Sequence, residues 1–277
     1  MPAATLEPEC LRSCGAVVIT GASSGIGEEF VKAITAVNSQ AKIFNLSRTP
    51  PHDSLASGKL EHCPADLSNA TGQDAATTAV ETWLEGAGNR GSIILINNSG
   101  FGSYGVFPEP SLERSLQMID LNMRAPVVLT GRLLPRLKER GGAVINISST
   151  AAFQPTPLFA VYGGTKAFLM NWSLGLWREL RDTKVHVLCV CPGPTGTNFF
   201  RAAGFAKPPV SDKMGQTSNQ VVKESLKALA ARQPLVVCGW SNKLAVMISS
   251  RIPRVWVTML TYMTLNKLRN GHSSCQN

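Results

Sequence analysis

A chain of 277 residues is long enough for one large domain or two small ones, and 44% hydrophobic residues can form a core without disulfide or metal staples. The same fraction is too low for several membrane spans, and no run reaches the roughly eighteen apolar residues that a single span requires. The formal net charge of +9 comes from 27 Lys and Arg against 18 Asp and Glu, but no recognisable nucleic-acid module accompanies it, which argues against a nucleic-acid partner.

The first residues, MPAATLEPECLRSCG, read as a polar lead-in without the basic start and apolar run of a signal peptide. AVVIT at 16–20 predicts a buried strand that runs into TGASSGIG, a glycine-rich turn opening a helix over 25–37. A turn in that context suits a dinucleotide. Its glycines let backbone approach a pyrophosphate, and the helix start supplies free N–H groups. Thr20, Gly21, Ser23, Ser24, Gly25, Ile26 and Gly27 are therefore candidate cofactor contacts, although the GxxxGxG spacing differs from the commoner GxGxxG.

Strands are predicted next at 41–47, 60–66 and 92–98, with a helix over 72–86 between the last two. A long helix follows over 112–139, with a bend expected at Pro126. GAVINISS at 142–149, KVHVLCVCPG at 184–193 and PLVVCG at 234–239 give further strands, and a helix spans 162–181. Short apolar runs alternating with helices imply right-handed βαβ units. The expected fold class is α/β, a doubly wound parallel sheet. It forms a single domain over 14–239, followed by a C-terminal helical and loop extension over 240–277.

In the 162–181 helix, Tyr162 and Lys166 stand one turn apart and share a face. They are either a solvated pair or a phenol made more acidic by a neighbouring ammonium, since a nearby positive charge favours phenolate. The surrounding motifs favour the second reading. TGASSGIG, NNSG, LN, ISS, YGGTK and PGPTGT, in this order over roughly residues 14–200, resemble the short-chain dehydrogenase/reductase family. That resemblance implies a single Rossmann-type domain using a nicotinamide cofactor.

It also implies a catalytic set of Asn122, Ser149, Tyr162 and Lys166. Ser149 precedes Tyr162 by thirteen residues, the family's separation, while Ser148 falls one residue off register. Ser149 would orient the substrate oxygen and Tyr162 would give or take its proton. Lys166 would lower the tyrosine pKa and grip the nicotinamide ribose, and Asn122 would hold a water linked to Lys166. Gly163 and Gly164 depart from the family's usual residues between Tyr and Lys.

For the cofactor, Ser47 stands where relatives that prefer NAD carry an acid, and Arg48 follows, so the resemblance implies NADP(H). Asp66 and Leu67 would contact adenine, with an Asx-turn at Asp66 as the alternative. NNSG at 97–100 implies Asn98 and Gly100 beside the cofactor and Asn97 tying strands together at its border. Pro192, Gly193, Thr195 and Thr197 would shape the nicotinamide site.

No Cys/His spacing suggests a metal site, and the histidines at 52, 62, 186 and 272 match no motif. Seven cysteines without a disulfide pattern suit a reducing, cytoplasmic setting. Phe199, Phe200, Phe205 and Met214 suggest an apolar lid over a hydrophobic carbonyl or alcohol substrate, or else simple core packing. After Glu224 the chain has no acidic residue, so its basic, apolar tail is a solvated rim, a pocket wall, a subunit contact or a peripheral membrane contact. The family's habit implies a homodimer or homotetramer. The leading expectation is an NADP(H)-dependent oxidoreductase; the alternatives are a non-catalytic NADP(H)-binding regulator and a peripheral membrane protein with a vestigial oxidoreductase fold.

Overall fold

The computed structural model describes residues 9–55, 59–86, 88, 90–109, 111–197, 199–204 and 215–270. In chain order the elements are α1 (Glu9–Arg12), β1 (Cys14–Thr20), α2 (Gly25–Val37), β2 (Lys42–Ser47), β3 (Leu60–Pro64), α3 (Ala70–Glu85) and β4 (Ser92–Asn97). Then follow α4 (Leu112–Ile119), α5 (Ala125–Arg140), β5 (Gly142–Ile147), α6 (Ala160–Glu179), β6 (Val185–Cys191) and α7 (Phe199–Ala202). The chain continues through α8 (Ser218–Ala230), β7 (Leu235–Val237), α9 (Trp240–Ser249) and α10 (Arg254–Asn270).

The strands form one parallel sheet in the order β3-β2-β1-β4-β5-β6-β7. Side chains alternate across it, so each strand feeds two cores. Val17, Ile19, Ile94 and Ile96 pack with Phe30 and Ile34 of α2 and Val221 of α8. Ala16, Val18, Ile93 and Leu95 pack with Val80 of α3 and Leu129 and Leu133 of α5 on the other face. Each such apolar side chain contributes about 1.5–3 kcal/mol on burial, which explains the near-continuous apolar runs of the strands. The order reverses between β1 and β4, and a crevice opens there at the carboxyl ends of the strands.

Three elements differ from the sequence expectation. The polar lead-in contains the short helix α1, because Leu11 is fully buried against the sheet. Helix α8 was not anticipated, although Thr217 and Gln220 form a capping box at its start. The helix expected over 112–139 is divided by a π turn at Asp120–Arg124, where the Ala125 N–H reaches back to the Asp120 carbonyl. The irregularity therefore lies just before Pro126 rather than at it. Pro126 has no N–H for the Asn122 carbonyl four residues earlier, a local cause for the departure from α geometry.

Buried polar groups align the helices with the sheet. Asn97 Nδ2 donates to Asn146 Oδ1 at 2.8 Å and to Thr130 Oγ1 at 3.2 Å, joining β4, β5 and α5. Asn146 Nδ2 donates to Ser173 Oγ at 2.8 Å, which fixes α6 against β5. The two glycines of α6 differ sharply. A Cβ on Gly163 would collide with the Thr156 side chain, whereas Gly164 has open space around it. Gly164→Ala is expected to raise stability by about 1 kcal/mol and Gly163→Ala to lower it. Thermal unfolding checks both; two changes of the same sign would contradict the packing.

Candidate functional site

The crevice is a cleft of about 630 Å³, walled by the β1–α2 turn, the ends of β2 to β6, and parts of α6, α7, α9 and α10. Gly21 turns at φ 74° and Gly25 at φ 61°, a region that disfavours side chains. Ser24 is the N-cap of α2, but its side chain makes no capping hydrogen bond, so the first N–H groups of the helix open towards the cleft. Gly21, Ser23, Ser24, Gly25 and Ile26 line this end.

Thr20 and Gly27, grouped with them by sequence, face elsewhere. The Thr20 hydroxyl accepts the Asn98 and Ser99 N–H groups at 3.0 and 2.8 Å, and a Cβ on Gly27 would run into the Gly21 carbonyl. Their work is to seat α2 and the segment after β4 on β1.

Ser47 is buried. It donates to the Thr49 carbonyl at 2.7 Å and accepts from Asn45 Nδ2 at 2.8 Å, while Arg48 beside it is exposed on the cleft wall. Asp66 makes the Asx-turn: Oδ1 accepts the Ser68 N–H at 3.0 Å and its hydroxyl at 2.7 Å. These bonds, with a smaller contribution from Arg48, hold its carboxyl below the usual carboxylate range. Asp66 and Leu67 both line the cleft, so the turn and a ligand contact are compatible. Asn98 lies on the wall with Nδ2 tied to the Thr20 and Gly21 carbonyls at 2.9 and 3.0 Å. Asn97 is turned into the core by the network described above and does not border the cleft.

Three of the four residues singled out for catalysis, Ser149, Tyr162 and Lys166, meet at the cleft wall. Ser149 caps the 3₁₀ turn after β5, accepting the Ala151 N–H at 3.1 Å, and its hydroxyl neighbours the Tyr162 phenol on the cleft wall. Ser148 points the other way and donates to the Lys166 carbonyl at 2.8 Å, pinning α6 to the end of β5. Lys166 is buried, donates from Nζ to the Ile147 carbonyl at 2.9 Å, and stands 5.8 Å from the centre of the Tyr162 ring. Asn122 does not reach the cleft wall. Its Nδ2 donates to the Phe101 carbonyl at 3.0 Å and to Thr165 Oγ1 at 3.1 Å, and its Oδ1 accepts the Phe101 N–H at 3.2 Å. It is a brace between the π turn, the segment after β4 and α6.

The electrostatics reverse one expectation. The Tyr162 pKa is not lowered: burial pushes it up to about 12, and the neighbouring Ser149 hydroxyl offsets only part of that. The phenol therefore keeps its proton at neutral pH. Burial also pushes Lys166 down to about 8. Because its unfolded value lies higher, the unfolded chain binds more protons between those limits, and this group makes stability rise with pH from about 8 towards about 10.5. By denaturant unfolding, the stability of the parent relative to Lys166→Met should rise by on the order of 2 kcal/mol between about pH 7.5 and about pH 9.5. Equal pH dependence in both would contradict it.

Beyond Tyr162 the cleft turns aromatic. Its ring lies 5.7 Å from Phe159 and 5.2 Å from Phe199, which meets Phe200 edge-on at 5.4 Å. Phe205 and Met214 lie outside the described residues. The extension over 240–277 contributes directly. Asn242 and Val246 of α9 and Thr261 and Leu265 of α10 line the cleft, and the Tyr104 hydroxyl donates to the Leu265 carbonyl at 2.8 Å. Gly100 leaves room beside the lysine; a Cβ there would stand 3.2 Å from Lys166 Nζ and 3.0 Å from Asn122 Oδ1. Pro192, Gly193, Thr195 and Thr197 complete the wall, with Thr195 Oγ1 donating to the Gly193 carbonyl at 2.9 Å. Sequence reasoning missed Phe101, Arg114 and Gln154 on this wall, because none belongs to a motif and only packing brings them there. Among the described residues no cluster of His, Cys, Asp or Glu is placed to hold a metal ion.

The arrangement suits a dinucleotide along the β1–α2 turn, with a proton-donating phenol at the far end. Residues 15–206 match the family model described as short chain dehydrogenase. Serine 3-dehydrogenase of Rhizobium radiobacter is 32% identical over 222 residues, covering 76% of this chain and 84% of that protein. The very-long-chain 3-oxoacyl-CoA reductase of Macaca fascicularis is 28% identical over 278 residues, covering 92% and 80%. A solved short-chain dehydrogenase from Sphingobium yanoikuyae in complex with NADPH superimposes with a TM-score of 0.69 at 27% identity, covering 85% of this chain and 93% of that one.

Proposed function

The chain belongs to the short-chain dehydrogenase/reductase family of oxidoreductases, and from that membership we propose that it is an NADP(H)-dependent reductase of a hydrophobic carbonyl compound. The observation that carries this reading is the meeting of Ser149 and Tyr162 on one wall of the cleft, with the buried Lys166 ammonium behind them. When bound, the nicotinamide supplies or accepts the hydride. Ser149 and Tyr162 hold the substrate oxygen between two hydroxyls, and the phenol, protonated at neutral pH, donates to that oxygen as negative charge develops on it. Lys166 keeps a positive charge close to the phenol, which stabilises the phenolate left behind. Ser148 and Asn122 position α6 without touching the substrate.

The choice of NADP(H) rests on Ser47 and Arg48 at the cleft wall and agrees with the NADPH bound to the Sphingobium enzyme. The aromatic wall of Phe159, Phe199 and Phe200 favours an apolar body on the substrate, as in ketones or 3-oxoacyl chains, and the reductase from Macaca acts on the latter. Screening ketones, aldehydes and 3-oxoacyl thioesters with NADPH, read as loss of NADPH absorbance, tests the proposal. NADPH binding without turnover of any carbonyl would favour a regulator instead. Leu112, Leu116 and Ile119 are exposed along α4 and Phe168 on α6, which supports a homo-oligomer built through these helices. A monomer mass by light scattering would remove that part.

A further inference from the structure

Helices α9 and α10 each have two faces. Val246 and Ser249 of α9, with Thr261 and Leu265 of α10, turn into the cleft. The outward face of α9 carries Trp240, Leu244, Met247 and Ile248, at 79%, 43%, 49% and 50% exposure. These positions follow the i, i+4, i+7, i+8 spacing of a single helical stripe. Helix α10 repeats the pattern with Val255, Trp256, Met259, Leu260 and Met263, between 55% and 67% exposed. Exposed apolar groups scattered singly need no explanation, but two consecutive helices with continuous outer stripes do.

We propose that the outer face of α9 and α10 docks on the surface of an anionic lipid bilayer. The charges identify the occupant. Arg251 and Arg254 lie between the two stripes and Lys267 near the end of the second, all three exposed, and no Asp or Glu follows Glu224 in the chain. A two-fold contact between copies would bring this basic rim against itself with no acid to neutralise it. An anionic headgroup layer supplies that neutralisation, and each Lys or Arg near such a surface strengthens binding about fivefold. Tryptophans at 240 and 256 suit the headgroup boundary. Among the described residues no helix is long and apolar enough to cross a membrane, so the helices lie on the bilayer. Their inner faces wall the cleft, so docking would let an apolar carbonyl enter from the acyl layer. That last point rests on the function proposed above; the docking itself does not.

Co-sedimentation of the full chain with phosphatidylcholine vesicles, with and without phosphatidylserine, tests the docking. Binding is expected with phosphatidylserine, weakening as salt rises, and the bound fraction should fall at least about fivefold in Trp256→Glu/Met259→Glu, whose parent side chains are exposed. Circular dichroism of the variant should match the parent, which separates lost docking from lost folding. Equal sedimentation with and without anionic vesicles would overturn the proposal. So would light scattering in which the double variant halves the mass of the lipid-free protein, because the stripe would then be a contact between copies. Retained vesicle binding in a chain that reduces no carbonyl would leave the docking standing and remove only the route into the cleft.

Discussion

Tyr162→Phe is expected to lower carbonyl reduction by about 10²–10⁴-fold while NADPH binding stays within about twofold of the parent. The variant deletes one oxygen and leaves the ring in its contacts with Phe159 and Phe199. Ser149 keeps its bond from the Ala151 N–H, so the cap of the 3₁₀ turn survives. The cost in stability should be no more than about 1 kcal/mol, the net worth of one hydrogen bond. Cofactor fluorescence titration and steady-state rates on the same preparation separate the two effects. Turnover within tenfold of the parent would remove the phenol as proton donor, and a parallel loss of NADPH affinity would recast it as a binding group.

Arg48→Ala should weaken NADPH by roughly 10–100-fold and NADH hardly at all. Arg48 is exposed, so the contact with a 2′-phosphate is screened and the loss should shrink as salt rises. Ser47 leaves space for that phosphate because its hydroxyl is turned to the Thr49 carbonyl and adds no negative charge. An equal loss for both cofactors would mean that Arg48 supports the loop rather than the phosphate.

Much of the scaffold could be read from local pattern. The buried runs at 16–20 and 92–98 alternate with helical periods, and burial on both faces of a parallel sheet demands that composition. The spacing of Tyr162 and Lys166 places them on one helical face whatever surrounds them. Thr20 and Gly27 were grouped with the cofactor turn because they sit inside its motif. Their inward roles depend on Asn98, Ser99 and Gly21 arriving from other parts of the fold. The π turn at 120–124 was misplaced by a few residues, since Pro126 marks where a helix is disturbed but not how neighbouring carbonyls find partners.

The sequence by itself determined the succession of the strands and most of the helices between them, the glycine turn and the register of the phenol with its lysine, because each depends on residues within a few positions of one another. Tertiary structure decided which of two adjacent serines faces that phenol, which way burial moves its proton affinity, and that the basic tail walls the cleft. Those outcomes depend on how much water is excluded and on which distant segments pack together. Both are set by contacts between residues as far apart as Tyr104 and Leu265, which no local pattern records.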